Sequence, residues 1–350
     1  MTFREIIGHR RVKRLLAQAV KSETLPPSLL FAGPDGIGKR QVALALAQSL
    51  NCLNPVSDET DHGRDGCGAC AACSRIARGL HPDVMLIKRP ADKTAIIIEQ
   101  TRELVREVGY RPFEGRVRTV IFDEAEDLGV DSQDALLKTL EEPPPRNVFV
   151  LVTSRPNMLA TTVRSRCCTL RFAPPPPAEI AAALVQRHGF GESDARAAAA
   201  HSGGSVARAL AAGAGERPEA CGVAIDVLTQ SAQASDPRAR LSAAAALLKT
   251  AGRKSRDAER EGKVAGADRA LIAERLRAMG SLLRDLAVLT TRAPDSALVN
   301  LDLRADLETL ARHYDRDRLT RAFSAVGRSL AALERNASPK IVADWLVLQL

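Results

Sequence analysis

A glycine-rich segment after a short apolar run is the clearest chemical signal in the sequence. Residues 33–39 read GPDGIGK and directly follow the run SLLFA. In this context glycines let backbone N–H groups turn toward phosphate oxygens, and a lysine in the place of Lys39 reaches the β- and γ-phosphates. The glycines concerned are Gly33, Gly36 and Gly38. The segment therefore predicts a P-loop that binds ATP, and a glycine-rich turn with an incidental lysine is the alternative.

The residue after this lysine departs from the P-loop pattern. A Ser or Thr normally stands there, because its hydroxyl ligates Mg²⁺. Here the position holds Arg40, whose guanidinium cannot ligate a metal and competes with Mg²⁺ for the same space. ATP can still bind through the glycines and Lys39, but we expect metal-assisted hydrolysis to be lost.

Two acids end a strongly apolar run further along the chain. Residues 120–124 read VIFDE, so Asp123 and Glu124 are expected at the carboxyl end of a buried strand. In nucleotide-hydrolysing proteins Asp123 would hold the magnesium ion and Glu124 would polarise the attacking water, a Walker B arrangement. Acids at strand ends are common, so the pair alone is weak evidence for a nucleotide site. The P-loop earlier in the chain is what supports this interpretation.

Four of the seven cysteines fall within 22 residues, and the other three are scattered. The four are Cys52, Cys67, Cys70 and Cys73. Four thiolates in a short polar loop are typical of a tetrahedral structural Zn²⁺ site with no open position for chemistry. His62 is an alternative ligand, and free buried cysteines or an oxidised pair are the other interpretations. The spacing predicts a zinc module over residues 52–73.

An arginine lies in a short segment between two apolar runs, where it reads Ser165-Arg166-Cys167. Most single arginines form surface salt bridges. Arg166 can also act as an arginine finger on a nucleotide held by a neighbouring subunit, a role that contributes about 10³–10⁵ in rate. The residues alone leave both interpretations open.

Short apolar runs alternate with helical segments in the first half of the chain. The runs are 28–33, 83–88, 118–124, 147–154 and 167–172, and the helical segments are 38–51, 68–79, 95–109 and 131–141. Runs rich in Leu, Val, Ile and Phe are typical of parallel strands buried on both faces. This pattern predicts an α/β domain over residues 1–173, with a five-stranded parallel sheet.

Four consecutive prolines, residues 174–177, end this pattern and predict a stiff linker. The rest of the chain shows helical periodicity only, which predicts a small helical domain over 178–214 and a helical C-terminal domain over 218–350. Within the latter, the charged segment 253–263 is expected to be an exposed loop or a frayed helix end. The last helix is expected to begin after Ser338, with Pro339 in its first turn.

The bulk composition of the 350 residues excludes several classes of protein. No stretch approaches the roughly 18 apolar residues of a membrane span, and the first segment lacks the apolar core of a signal peptide. We therefore expect a cytoplasmic protein. The net charge of +8 is compatible with a polyanionic partner, but aromatic residues are only 3% of the chain. That scarcity argues against a single-strand binder built on base stacking.

Several segments together resemble the clamp-loader subunits of the AAA+ family, and among them the delta-prime subunits of bacterial DNA polymerase III. The segments are IIGHRRVKRLL, GPDGIGK, the cysteine insert, VIFDEAEDL, ALLKTLEEPP, LVTSRPNML and VRSRC. The resemblance implies a RecA-like AAA+ domain with a helical lid and a helical collar that joins a five-subunit ring. It implies that Arg166 contacts ATP in an adjacent motor subunit, and that Thr153 and Ser154 occupy the sensor-1 region. The implied partners are the tau/gamma and delta subunits and, through the complex, the sliding clamp and primer-template DNA.

Two departures from the motor subunits of this family favour a ring member that does not hydrolyse ATP. Arg40 replaces the P-loop hydroxyl, and Ala207 occupies the position where the motors carry a sensor-2 arginine. Arg208 follows one residue later, which on a helix turns it by about 100°, so its reach to a nucleotide is in doubt. An ATP-hydrolysing motor that uses Lys39, Asp123 and Glu124 is the alternative function, and a direct DNA binder is a third.

Overall fold

The structure is a computed structural model. It describes residues 2–57, 63–90, 93, 95–212, 219–234, 236–248, 261–291, 298, 300, 303–335 and 337–350. The chain divides into two compact units. The first unit comprises Met1–Ala183 with Gly204–Arg208, and the second comprises Leu184–Gly203 with Ala209–Leu350. The boundaries of the three predicted domains stay predictions.

The first unit contains the predicted parallel sheet. The strands of the chain are β1 (Ser28–Ala32), β2 (Val56–Ser57), β3 (Arg64–Asp65), β4 (Val84–Ile87), β5 (Arg118–Phe122), β6 (Asn147–Thr153) and β7 (Cys168–Arg171). Five of them form one sheet in the order β4-β5-β6-β1-β7, and every pairing in it is parallel. The two short strands β2 and β3 pair as an antiparallel hairpin beside the cysteines. The five-stranded sheet predicted from the apolar runs is confirmed.

Helices of this unit connect the strands. They are α1 (Arg10–Lys21), α2 (Lys39–Asn51), α3 (Ala71–Ala77), α4 (Ile98–Val108), α5 (Val130–Glu141) and α6 (Thr161–Ser165), followed by α7 (Pro177–His188), which runs into the second unit. The last of the four prolines therefore opens a helix. This agrees with its chemistry, because proline lacks only an N–H that the first turn does not use.

Alternate residues of the central strands face two separate cores. On β1, Leu29 and Phe31 belong to the apolar cluster that includes residues of α1 and α2, such as Leu16 and Leu46. Leu30, between them, belongs to the cluster that contains residues of α4 and α5. Because both faces of the sheet are covered, its central strands are apolar throughout instead of alternating with polar residues.

A buried carboxylate fixes the loop that enters β5. Asp83 has no exposed surface, and it accepts hydrogen bonds from the backbone N–H groups of Phe113 (2.7 Å), Glu114 (2.9 Å) and Gly115 (2.8 Å). Its other partner is the Arg118 guanidinium, at 3.3 Å. Burial raises the pKa of Asp83, but these hydrogen bonds and the charge of Arg118 outweigh it, so the pKa lies below the usual value.

Asp83→Asn is expected to destabilise the protein by about 3–5 kcal/mol, because it leaves a buried guanidinium without its charge partner. The measurement is urea unfolding at pH 7, with the exposed α5 residue Asp134 changed to Asn as a control within about 0.5 kcal/mol. Since the folded pKa of Asp83 is lowered, its contribution is present above the unfolded pKa and is lost as pH falls through the folded pKa. The difference between wild type and Asp83→Asn should therefore shrink below about pH 4. Equal stabilities at pH 7 would contradict this account.

The second unit is helical throughout its described residues. After α8 (Glu192–His201) and α9 (Val206–Ala212), which begins in the first unit, it contains α10 (Glu219–Gln233), α11 (Pro237–Leu248), α12 (Glu261–Thr290), α13 (Arg304–Ala311), α14 (Arg316–Glu334) and α15 (Pro339–Gln349). Its core is one apolar cluster that all of these from α10 to α15 share. The predicted start of the last helix is confirmed, with Ser338 at the N-cap and Pro339 in the first turn.

The longest helix of the second unit carries the apolar stripe that its spacing predicts. Ile272, Leu276, Met279, Leu283 and Leu286 are buried on α12. The first eight residues of the charged segment 253–263 lie outside the described residues, and the last three begin α12. Among the described residues, no helix is both long enough and apolar enough to cross a membrane.

Candidate functional site

The loop between β1 and α2 has the backbone that its glycines permit. Gly36 and Gly38 have φ angles of 74° and 103°, a region that other residues rarely adopt. Gly33 is required for a different reason. A side chain there would begin 2.3 Å from the carbonyl oxygen of Phe172, at the end of β7. The sequence therefore forms a tight turn at the carboxyl edge of the sheet, where α2 begins with Lys39.

The Lys39 side chain lies inside the curve of this loop. Its Nζ donates to the carbonyl oxygens of Gly33 (2.7 Å) and Pro34 (2.6 Å), and only 5% of the residue is exposed. Burial lowers the pKa of Lys39, partly offset by the nearby charges of Asp35, Glu126 and Asp123. An anion that entered the loop would replace the two carbonyl oxygens as the partner of this ammonium group.

The residue after the lysine contacts the acid at the end of β5. Arg40 Nη1 lies 3.5 Å from Asp123 Oδ2, and Lys88 Nζ lies 3.4 Å from the same oxygen. Two cationic side chains therefore flank the carboxylate that a Walker B arrangement gives to Mg²⁺. The contact between Arg40 and Asp123 agrees with the prediction that Arg40 competes with Mg²⁺ for the same space.

Glu124, the second acid of the predicted pair, is more exposed than Asp123. Glu124 has a left-handed backbone, with φ of 58°, and is largely exposed. Partial burial raises its pKa, and the charges of Asp127 and Asp123 raise it further. Glu124 thus lies at the same edge of the sheet as the loop, and its environment favours protonation more than that of an ordinary glutamate.

Sequence reasoning missed a third acid, Glu126. Its Oε1 accepts from the backbone N–H of Ser154 (3.1 Å) and from the Ser154 hydroxyl (2.5 Å). The neighbouring Thr153 contacts the P-loop through its backbone, since its carbonyl oxygen accepts from Gly33 N–H at 3.2 Å. The predicted polar pair therefore links the end of β6 to both the glycine loop and the acids after β5. The run EAED after Asp123 was the available sequence signal for Glu126.

Three more residues that sequence reasoning did not assign to the site lie against the loop. A side chain built at Gly36 would begin 2.9 Å from Ser205 Oγ and 3.2 Å from Arg208 Nη1. The sequence left open whether Arg208 reaches the nucleotide site. In the structure its guanidinium lies against the P-loop turn. On the amino-terminal side, His9 Nε2 donates to the carbonyl oxygen of Ile37 at 2.6 Å. Neither contact has a local sequence signal, since both join segments far apart in the chain.

Arg166 contacts none of these groups. It follows α6, and its Nε and Nη2 donate to Glu141 Oε2 at 3.0 and 2.9 Å. Its Nη1 donates to the carbonyl oxygen of Thr162 at 3.1 Å. The side chain is 30% exposed. The arginine is therefore a surface group held against the end of α5, outside the set formed by Lys39, Arg40 and Asp123.

The structure brings the four clustered cysteines together. Their sulfur atoms all lie within 4.8 Å of one another, and Cys52 Sγ lies 3.9 Å from Cys70 Sγ. Four thiolates bound to zinc at about 2.3 Å, in tetrahedral geometry, lie about 3.8 Å apart, so the donor set and its spacing fit that ion. His62 lies outside the described residues. The cluster could hold a metal ion with four cysteine sulfur atoms as its ligands.

Backbone N–H groups point at these sulfur atoms. The N–H of Cys67 donates to Cys52 Sγ and that of Cys70 donates to Cys67 Sγ, each at 3.2 Å. Burial raises the pKa of Cys70, but hydrogen bonds from the backbone at Cys73 and Leu53 outweigh it and bring the pKa to about 6. Burial raises the pKa of Cys73. The environment of Cys70 therefore favours the thiolate that binds a metal, whereas Cys73 would have to lose its proton when a cation binds.

The first half of this chain is similar to subunits of DNA polymerase III. Residues 8–176 match the family described as DNA polymerase III, delta subunit. The DNA polymerase III subunit tau/gamma of Haemophilus influenzae is 37% identical over 166 residues, which cover 47% of this chain and 23% of that one. The DNA polymerase III subunit delta' of Bacillus subtilis is 34% identical over 177 residues, 51% of either chain. The matched part thus spans from about a quarter to about half of these relatives.

A solved structure also resembles the chain over most of its length. It is a DNA polymerase III gamma subunit-related protein from Thermotoga maritima, with 15% sequence identity and a TM-score of 0.43. The superposition covers 95% of this chain and 97% of that one.

Proposed function

We propose that the protein is a clamp-loader subunit of the delta-prime type, because residues 8–176 match the family described as DNA polymerase III, delta subunit. In this proposal it is a member of a five-subunit ring with tau/gamma and delta subunits. It does not hydrolyse ATP, and it supplies Arg166 to ATP bound by a neighbouring subunit. In this proposal the assembled complex, and not this subunit alone, binds the sliding clamp and primer-template DNA.

The observation that carries the proposal is the contact between Arg40 and Asp123. A guanidinium 3.5 Å from the carboxylate puts a fixed positive charge where a hydrolysing site needs Mg²⁺ and its water ligands. The P-loop hydroxyl that would complete the metal shell is also absent, because Arg40 occupies its position. Both facts act in the same direction, and they favour nucleotide binding without catalysis over the alternative of an active motor.

The placement of Arg166 supports the second part of the proposal. A finger that acts in trans must be exposed and must not be engaged with the P-loop of its own chain. Arg166 meets both conditions, since its partners are Glu141 and the backbone of Thr162. A purely structural surface ion pair is the other interpretation, and the two differ in what happens when the arginine is removed from the assembled complex.

The cysteine cluster supports a structural Zn²⁺ ion in this subunit. Cys52, Cys67, Cys70 and Cys73 would hold it, and the ion would crosslink the carboxyl end of α2 and the loop after β3 to the amino end of α3. With four thiolates the shell has no open position for a substrate, so the ion would stabilise the fold and take no part in chemistry.

The isolated chain is expected to show no ATP hydrolysis above background at saturating ATP and Mg²⁺, because Arg40 occupies the metal position. The measurement is phosphate release by the purified chain, with Lys39→Ala as the matched variant. Hydrolysis that Lys39→Ala abolishes would contradict the proposal and favour the motor. ATP binding is expected to change little when Mg²⁺ is removed. In Arg40→Ser, which restores the hydroxyl and removes one of the two cations beside Asp123, ATP binding should become Mg²⁺-dependent.

A further inference from the structure

Two acceptors from different helices fix the guanidinium of Arg166. Glu141 Oε2, at the end of α5, accepts from Nε and Nη2 at 3.0 and 2.9 Å. The carbonyl oxygen of Thr162, on α6, accepts from Nη1 at 3.1 Å. An exposed arginine normally samples many rotamers, so three hydrogen bonds to one planar group define its orientation.

The bonds leave one edge of the guanidinium available. The group carries five N–H donors, and Glu141 and Thr162 use three of them. One N–H on Nη1 and one on Nη2 have no partner among the residues that the structure describes. The side edge of Nε and Nη2 faces Glu141, so the remaining N–H of Nη2 lies on the end edge of the planar group, which Nη1 shares. Two parallel N–H donors match two oxygens of a phosphate group.

The contact with Glu141 contributes little to folding. The Glu141 side chain is 59% exposed, and an ion pair between two solvent-accessible side chains is screened by water and adds little stability. What the pair does is hold the arginine in one geometry.

We propose that Glu141 is a positioning residue for Arg166. It turns the guanidinium so that the edge formed by Nη1 and Nη2 faces a phosphate group of the nucleotide on the neighbouring subunit. The inference rests on the proposed function of Arg166 in trans, and Glu141 itself does not touch the nucleotide.

The test uses the full chain assembled with its tau/gamma and delta partners, and it compares Glu141→Ala, Glu141→Gln and Glu142→Ala. Glu142 is the matched control, because it is the adjacent exposed glutamate and makes no ion pair among the described residues. Glu141→Ala is expected to lower kcat for ATP about tenfold, with KM within twofold, since an oriented donor acts mainly in the transition state. Glu141→Gln keeps an oxygen acceptor and should recover most of the rate, and Glu142→Ala should match wild type.

The double variant Arg166→Ala with Glu141→Ala separates positioning from other roles. If Glu141 acts only through Arg166, the double variant should equal Arg166→Ala alone. A further loss of rate in the double variant would overturn the inference, as would Glu141→Ala with the kcat of wild type. If Arg166→Ala slows turnover but Glu141→Ala does not, this inference fails while the proposed function stands. If Arg166→Ala has no effect, both fail.

Discussion

Arg166→Ala is expected to slow ATP hydrolysis by about 10³-fold or more at the site that this chain faces in the assembled complex, because an arginine finger in trans contributes about 10³–10⁵ in rate. In the proposed arrangement the guanidinium would stabilise the charge that develops on the transferred phosphoryl group. The chain itself should remain folded, since the variant removes an exposed ion pair that contributes about 0–1 kcal/mol.

Single-turnover hydrolysis is the measurement that isolates this effect. In the proposed ring the neighbouring motor cleaves one of several ATP molecules, so we expect one kinetic phase to be lost while the other phases continue. Arg164→Ala is the matched control, because Arg164 lies on α6 two residues before Arg166 and its guanidinium donates to the side chains of Asn157 and Thr161. Arg164→Ala should leave all phases intact.

A charge-conserving variant tests the geometry of the finger. Arg166→Lys keeps the positive charge but loses the planar fork that binds two oxygens at once, so its rate should fall between those of wild type and Arg166→Ala. A full rate in Arg166→Ala, with the complex assembled normally, would show that this arginine is only a surface ion-pair partner.

The sheet and the glycine loop could be predicted from the sequence because their signals are local. Strands buried on both faces are mainly apolar, so β5 and β6 were recognisable by the apolar runs VIF and VFVLV. The turn at Gly36 and Gly38 requires positive φ, which leaves glycine as the residue of choice. The cysteine spacing was informative for the same reason, since four soft ligands in a short loop have few other uses.

The contacts that complete the site could not be predicted, because they join segments that the sequence separates. Arg208 reaches Gly36 and Ser154 binds Glu126 only after the sheet has ordered its strands. The pair between Arg166 and Glu141 spans 25 positions in the chain. No periodicity or motif encodes which arginine meets which carboxylate, since one exposed ion pair contributes too little to stability to constrain the surrounding sequence.

Polar contacts on both sides of the cysteine loop hold it to the rest of the first unit. Ser49 Oγ, on α2, donates to the Arg64 carbonyl oxygen at 2.8 Å, and Gln48 Nε2 donates to that of Cys73 at 2.8 Å. Asp65 accepts from the backbone N–H of Phe3 at 3.1 Å. These bonds hold β3 and α3 to the rest of the unit. The described residues between Cys52 and β3 are mostly exposed, so a bound ion would be their main source of order.

Cys70→Ser is expected to lower bound zinc well below one equivalent and to weaken metal affinity by more than about 100-fold, since changes outside the ligand shell alone cost 10–100-fold. Loss of one thiolate opens the four-sulfur shell, so amides of residues 52–73 should exchange hydrogen faster while those of the central strands stay protected. Metal content by elemental analysis and hydrogen exchange are the two measurements. Cys168→Ser is the control, because Cys168 is exposed and outside the cluster, and it should keep full metal. Unchanged metal content in Cys70→Ser would mean that these thiols are not the ligands.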